Sequence, residues 1–145
     1  MKDISFEIRI KNSKVKLILT ITDDLFKIIK IIRAKHKYRK PLVSKKEASE
    51  WRGVVISTFE VSSNVIHIVI ERKEGKADMS TITHEIFHTT GRILRKIVIN
   101  YYEDEESYAY LNGVLNSFII SKLIELNETI SYSKHEDIKA KCVFI

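Results

Sequence analysis

One cysteine, one proline and four glycines are all that this chain of 145 residues holds of the residue types that cross-link, break or loosen a backbone. The lone Cys142 has no partner within the chain for a disulfide, and it excludes a cysteine-rich zinc site. With so little proline and glycine, and no serine-rich stretch or internal repeat, nothing reads as a linker, so a single domain over residues 1–145 is expected. No segment approaches the roughly 20 apolar residues that a membrane span requires. The first residues, MKDISFEIRI, alternate instead of running apolar as the core of a signal peptide does. Both absences, with the single thiol, predict a cytoplasmic protein.

What is present is the balance of a globular chain, 44% hydrophobic and 30% charged, with a net charge of +6. The charge is uneven. Between Arg33 and Lys46 stand Arg33, Lys35, Lys37, Arg39, Lys40, Lys45 and Lys46, with no acid among them. Such a run can meet phosphates, and a nucleic-acid-binding module is one function it allows. A solvated helix end followed by a loop is the favoured explanation, since no aromatic interleaving or nucleic-acid motif accompanies the run.

Alternation at Ile4, Phe6, Ile8 and Ile10, then at Val15, Leu17, Leu19 and Ile21, predicts a hairpin turning at Asn12–Ser13. Thr22 or Asp23 can cap a helix over 23–37, whose apolar positions Leu25, Ile28, Ile29 and Ile32 have helical spacing. Pro41 ends any continuation. A turn of helix within 45–52 precedes two Val/Ile-rich strands, Gly53 to Val61 and Asn64 to Glu71. Asp78 or Ser80 can cap a helix running to about Ile99, and the acids at 103–106 suit the start of another that reaches about Leu126. The last residues, KAKCVFI, read as a strand or a tail. Strands and one helix followed by two long helices make an α+β domain, a small mixed or antiparallel sheet packed on helices.

The first long helix contains THEIFHTTG, residues 83–91. On a helix, residues four apart differ by about 40° around the axis and one turn along it. His84 and His88 can therefore aim two imidazole nitrogens at one point, a donor pair that Zn²⁺ accepts. Glu85 points elsewhere; it suits a proton carrier better than a ligand. Two core histidines beside a surface glutamate would give the same string. A catalytic zinc needs a third protein ligand, and Glu103, Asp104, Glu105 and Glu106 arrive about fifteen residues later. Ala109, Gly113, Ser117 and Ser121 form a stripe of small residues on the side of Glu106, and Gly91 lies one turn from His88. If the two helices meet along that stripe, Glu106 is favoured over Glu105. Tyr110, one turn beyond Glu106, could hydrogen-bond a ligand or a developing oxyanion, or simply stand at the surface. His67, mid-strand in VIHIVI, reads as a sheet histidine with its bonds satisfied, Trp51 as a core anchor, and His36 and His135 carry no signal.

THEIFH followed by EESYAYLNGVL resembles the small zinc metallopeptidases encoded by phages and prophages, minimal relatives of the gluzincins. The resemblance covers about residues 80–115. It implies a zincin-like fold, His84, His88 and Glu106 as zinc ligands, Glu85 as general base, and a peptide or protein as substrate. A second implication is that a strand near the motif, Asn64 to Glu71, is a sheet edge to which an extended peptide adds. Larger gluzincins often carry an acid where this chain has Tyr110. A phage assembly protein keeping a structural metal site is the alternative within the same resemblance.

Overall fold

The computed structural model describes residues 1–10, 13–38, 43–58, 64–96, 104–132 and 141. The basic residues Arg39 and Lys40, Glu103, His135, Cys142 and most of the C-terminal KAKCVFI lie outside them.

The predicted hairpin forms. β1 (Ile4–Arg9) pairs antiparallel with β2 (Lys16–Thr22), Phe6 opposite Leu19. The chain then makes α1 (Leu25–Lys35) and α2 (Lys45–Glu50) before β3 (Gly53–Ser57) and β4 (Val65–Glu71). Asp24, rather than Thr22 or Asp23, caps α1 by accepting from the Lys27 amide at 3.1 Å. Thr22 supports the cap by accepting from the Asp24 amide. Ser44 and Glu47 close a reciprocal capping box on α2.

The strand order is β1-β2-β4-β3, with β2 and β4 parallel and the other pairs antiparallel. This corrects the edge expected at Asn64 to Glu71. β4 is central, paired on both sides, and six of its seven residues are buried. A run apolar on both faces belongs between two layers, where neither side meets water. The edge next to the first long helix is β3.

Those layers follow from alternation. Leu17, Leu19 and Ile21 of β2 stand in rows with Ile66, Ile68 and Ile70 of β4, and these rows face α3 (Met79–Lys96) and α4 (Glu105–Glu125). Ile82, Ile86 and Ile93 of α3 and Leu115, Ile119 and Leu123 of α4 complete that core. The opposite face carries Val69 and Ile56 against Leu25, Ile29 and Ile32 of α1, with half-buried Trp51 at its margin. The domain is thus α+β, with helices on both faces of a four-stranded sheet. No helix among the described residues is long and apolar enough to cross a membrane.

A short parallel ladder joins β5 (Ala77–Asp78), just before α3, to β6 (Ile130–Ser131), after α4. Beside it, buried Arg72 donates to both oxygens of buried Glu128, and also to Asp23 and the Lys2 carbonyl. The segment after α4 is thereby tied to the end of the sheet. Glu128→Ala would leave the buried guanidinium with only Asp23 and the Lys2 carbonyl, and a loss of about 1–3 kcal/mol in urea denaturation is expected.

His67 does sit satisfied in the sheet, and its partner is His36, at the end of α1: the two Nε2 atoms are 2.9 Å apart and both residues are buried. Burial, reinforced by the nearby His36, holds His67 down at about 4, and burial also lowers His36. Unfolding returns His67 to its ordinary value of 6.5. The unfolded chain then binds the extra proton, so stability is full above that value and falls as the pH drops towards 4. Between about pH 7.5 and about pH 5 this group should remove about 2 kcal/mol, and His67→Gln should flatten that slope in denaturation curves.

Candidate metal site

α3 begins at a side-chain cap. Asp78 Oδ2 accepts from the Thr81 amide at 3.1 Å and from its hydroxyl at 3.3 Å. From that start the helix turns Ile82, Ile86 and Ile93 to the sheet and leaves His84 and His88 on its open side. Their Nε2 atoms stand 3.1 Å apart, ring centroids 4.7 Å, with both residues exposed. The pair aims its nitrogens together. Burial, then the charges of His84, Arg92 and Arg95, lower the proton affinity of His88, which favours the neutral imidazole that binds metals.

Glu85 is different: it is 7% exposed, with Oε1 4.0 Å from His84 Nε2. Its burial raises its pKa, against the opposing pull of His84 and Arg92. The reason it can be buried lies on β3. Gly53 occupies the α3-facing row with Ile21 and Ile70. A Cβ there would come within 2.9 Å of Glu85 Cγ and Thr81 Cγ2. This glycine escaped sequence reasoning; its position opening a Val/Ile-rich strand beside the motif helix is the only signal. Gly91, by contrast, has room for a Cβ, whose nearest contact would be Arg95 Nη2 at 3.8 Å.

Between α3 and the β3 edge lies a cleft of about 470 Å³, bounded by Trp51, Gly53, Thr81, His84, Glu85 and Arg92 among others. Antiparallel pairing alternates, and the Glu71-to-Arg52 and Thr58-to-Val65 bonds turn the even-numbered residues of β3 towards β4. Gly53, Val55 and Ser57 therefore direct their amide and carbonyl groups outward. Arg92 Nη1 donates to the Val55 carbonyl at 2.8 Å and the Tyr38 hydroxyl to the Ser57 carbonyl at 2.8 Å.

The acids of α4 come out differently from expectation. Asp104 is its N-cap, accepting from the Ser107 amide and hydroxyl, which lowers its pKa. The side that docks on α3 holds Tyr108, whose hydroxyl donates to the Phe87 carbonyl at 2.9 Å, and Asn112, bonded to Thr90. Leu115, Ile119 and Leu123 continue that side into the core. The stripe Ala109, Gly113, Ser117 and Ser121 is exposed, and a Cβ at Gly113 would touch nothing. The helices therefore do not meet along the small residues, and that reason for preferring Glu106 disappears. At about 100° per residue, Glu105 lies about 60° from Tyr108 and Glu106 about 160°. Both are exposed. Tyr110 is 76% exposed and does not line the cleft; Tyr108 is the tyrosine that reaches α3. Among the described residues no three His, Cys, Asp or Glu side chains gather around one point. The histidine pair and Glu85 are brought together; Glu106 and Tyr110 are not brought to them.

No family model matches the chain, and neither does any curated protein or solved structure.

The contrast between Gly53 and Gly113 gives one test. Gly53→Ala should destabilise the fold by about 1–3 kcal/mol through overpacking against Glu85 and Thr81. Gly113→Ala should stabilise it by up to about 1 kcal/mol, as alanine does in an exposed helix interior. Thermal denaturation of the two variants beside the native chain measures both.

Proposed function

We propose that the chain is a zinc-dependent hydrolase of peptide or amide bonds, with His84 and His88 as metal ligands and Glu85 as general base. The observation that carries this reading is the convergence of two accessible imidazole nitrogens in a cleft, with a buried carboxyl beside them. The two donors present suit the ion: imidazole nitrogens one helical turn apart, facing a cleft. A third ligand would have to come from the first turn of α4, whose described acids do not gather with the histidines in this structure. The resemblance to phage-encoded metallopeptidases assigns it to Glu106, whereas the docked side of α4 favours Glu105. Bound there, zinc would supply a polarised carbonyl and a water of lowered pKa.

The protein's own contribution is position and proton transfer. Glu85, held by the close approach of Gly53, receives a proton from the attacking water on a carboxylate oxygen and returns it to the departing nitrogen. Substrate lies extended along the β3 edge, where Gly53 offers outward backbone groups. Tyr110 has no part in this arrangement. The zincin-like character of the domain and a cytoplasmic setting belong to the same reading.

Protein purified without a histidine tag should carry about one zinc per chain by elemental analysis. His88→Ala should lose the metal and all hydrolysis; Glu85→Gln should keep the metal and lose hydrolysis by at least about a hundredfold. Glu85→Gln with unchanged turnover would remove the enzyme reading and leave a structural metal site. Comparing Glu105→Gln with Glu106→Gln for zinc affinity decides the third ligand.

A further inference from the structure

The cleft ends in a cation that the catalytic scheme does not use. Arg92 lies two turns beyond His84, on the same side of α3, and is half-buried. One of its amino groups is fixed on the Val55 carbonyl at 2.8 Å, with the Ser57 hydroxyl at 3.5 Å. Its other donors, Nε and Nη2, have no hydrogen-bond partner among the described residues, and the guanidinium forms no ion pair there. The second arginine on the cleft wall is compensated: Arg52 is paired with Glu71 at 3.2 Å. Among the described residues Glu85 is the one acid lining the cleft, and it acts on Arg92 through its charge without forming an ion pair with it. Past Arg92, a further hollow is bounded among the described residues by Ser57, Arg92, Arg95 and Lys96.

The edge strand adds an independent constraint. Of its three outward carbonyls, Val55 and Ser57 already receive Arg92 and Tyr38. Among the described residues only the Gly53 carbonyl has no donor on it. A peptide therefore cannot extend the sheet along the whole of β3. It can pair at Gly53, and then meets the guanidinium.

On the hydrolase reading above, we infer that the cleft selects peptides bearing a carboxylate close to the bond at the histidines, and that Arg92 receives that carboxylate. The fork of Arg92 keeps Nε and Nη2 for two parallel bonds to it while Nη1 stays on β3. A chain-terminal carboxylate and an aspartate or glutamate side chain offer the same chemistry. A neutral peptide would leave Nε and Nη2 of the partly desolvated guanidinium without an acceptor.

Binding separates this inference from catalysis. Three apolar pentapeptides are titrated calorimetrically into the zinc-loaded Glu85→Gln chain: one with a free C-terminus, one C-terminally amidated, and one amidated with an internal aspartate. Either acidic peptide should bind at least about tenfold more tightly than the neutral amide, and which of them does so identifies the source of the carboxylate. In an Arg92→Gln background the preference should vanish; Arg92→Lys, which keeps the charge and loses the fork, should retain part of it. Equal binding of all three peptides overturns the inference even if the native chain hydrolyses peptides. A carboxylate preference that depends on Arg92 in a chain without hydrolytic activity upholds it while the hydrolase reading fails.

Discussion

Helix α3 can lie against the sheet edge as it does because residue 53 has no side chain. With any Cβ at that point, Glu85 and Thr81 would have to move, as each already approaches within 2.9 Å of where it would stand. The close approach buries the Glu85 carboxyl while leaving the histidines on either side of it in sequence exposed. One backbone contact thus sorts three neighbouring polar residues of a helix into a buried acid and two accessible nitrogens. The same contact brings Arg92 within reach of Val55 and sets the length of edge left open. Site geometry here comes from the packing of a helix on a strand, and the residues that enforce it are not the ones that would do chemistry.

The domain holds two histidine pairs whose Nε2 separations are nearly the same, 3.1 Å at His84–His88 and 2.9 Å at His36–His67. Their surroundings make them different objects. The first faces a cleft from a single helix turn. The second is buried between the end of α1 and the sheet, where one ring donates to the other. Burial, with the positive charges of Lys35 and Lys16, lowers the proton affinity of both rings, which favours a neutral pair acting as a packing element with a polar bond inside. Nitrogen convergence alone does not make a metal site; of the two pairs, only His84–His88 is exposed.

Much of the architecture was legible in the sequence, because alternation and helical spacing report which side of an element is buried. The hairpin, α1, the motif helix and α4 all appear where Ile4–Ile21, Leu25–Ile32 and the two long amphipathic or apolar stretches place them. Strand order was not legible from a family expectation, yet VIHIVI carried the information: six consecutive buried residues suit a strand covered on both faces. The side of α4 that packs was misread because small residues suggested close approach, whereas Tyr108, Asn112, Leu115 and Ile119 supply the contact and the small ones face solvent. Gly53, Arg92 and the His36–His67 bond were invisible because each acquires its meaning from a residue distant in the chain.

The central claim is that His84 and His88, and not His36 and His67, form the metal-binding pair, with their nitrogens free to accept the ion. Nitrogen NMR of the imidazoles during a zinc titration tests it most directly. The account requires the Nε2 resonances of His84 and His88 to shift together and saturate at about one equivalent, with His36 and His67 unmoved. Saturating zinc that leaves the His84 and His88 signals in place, or that moves the buried pair instead, would contradict it.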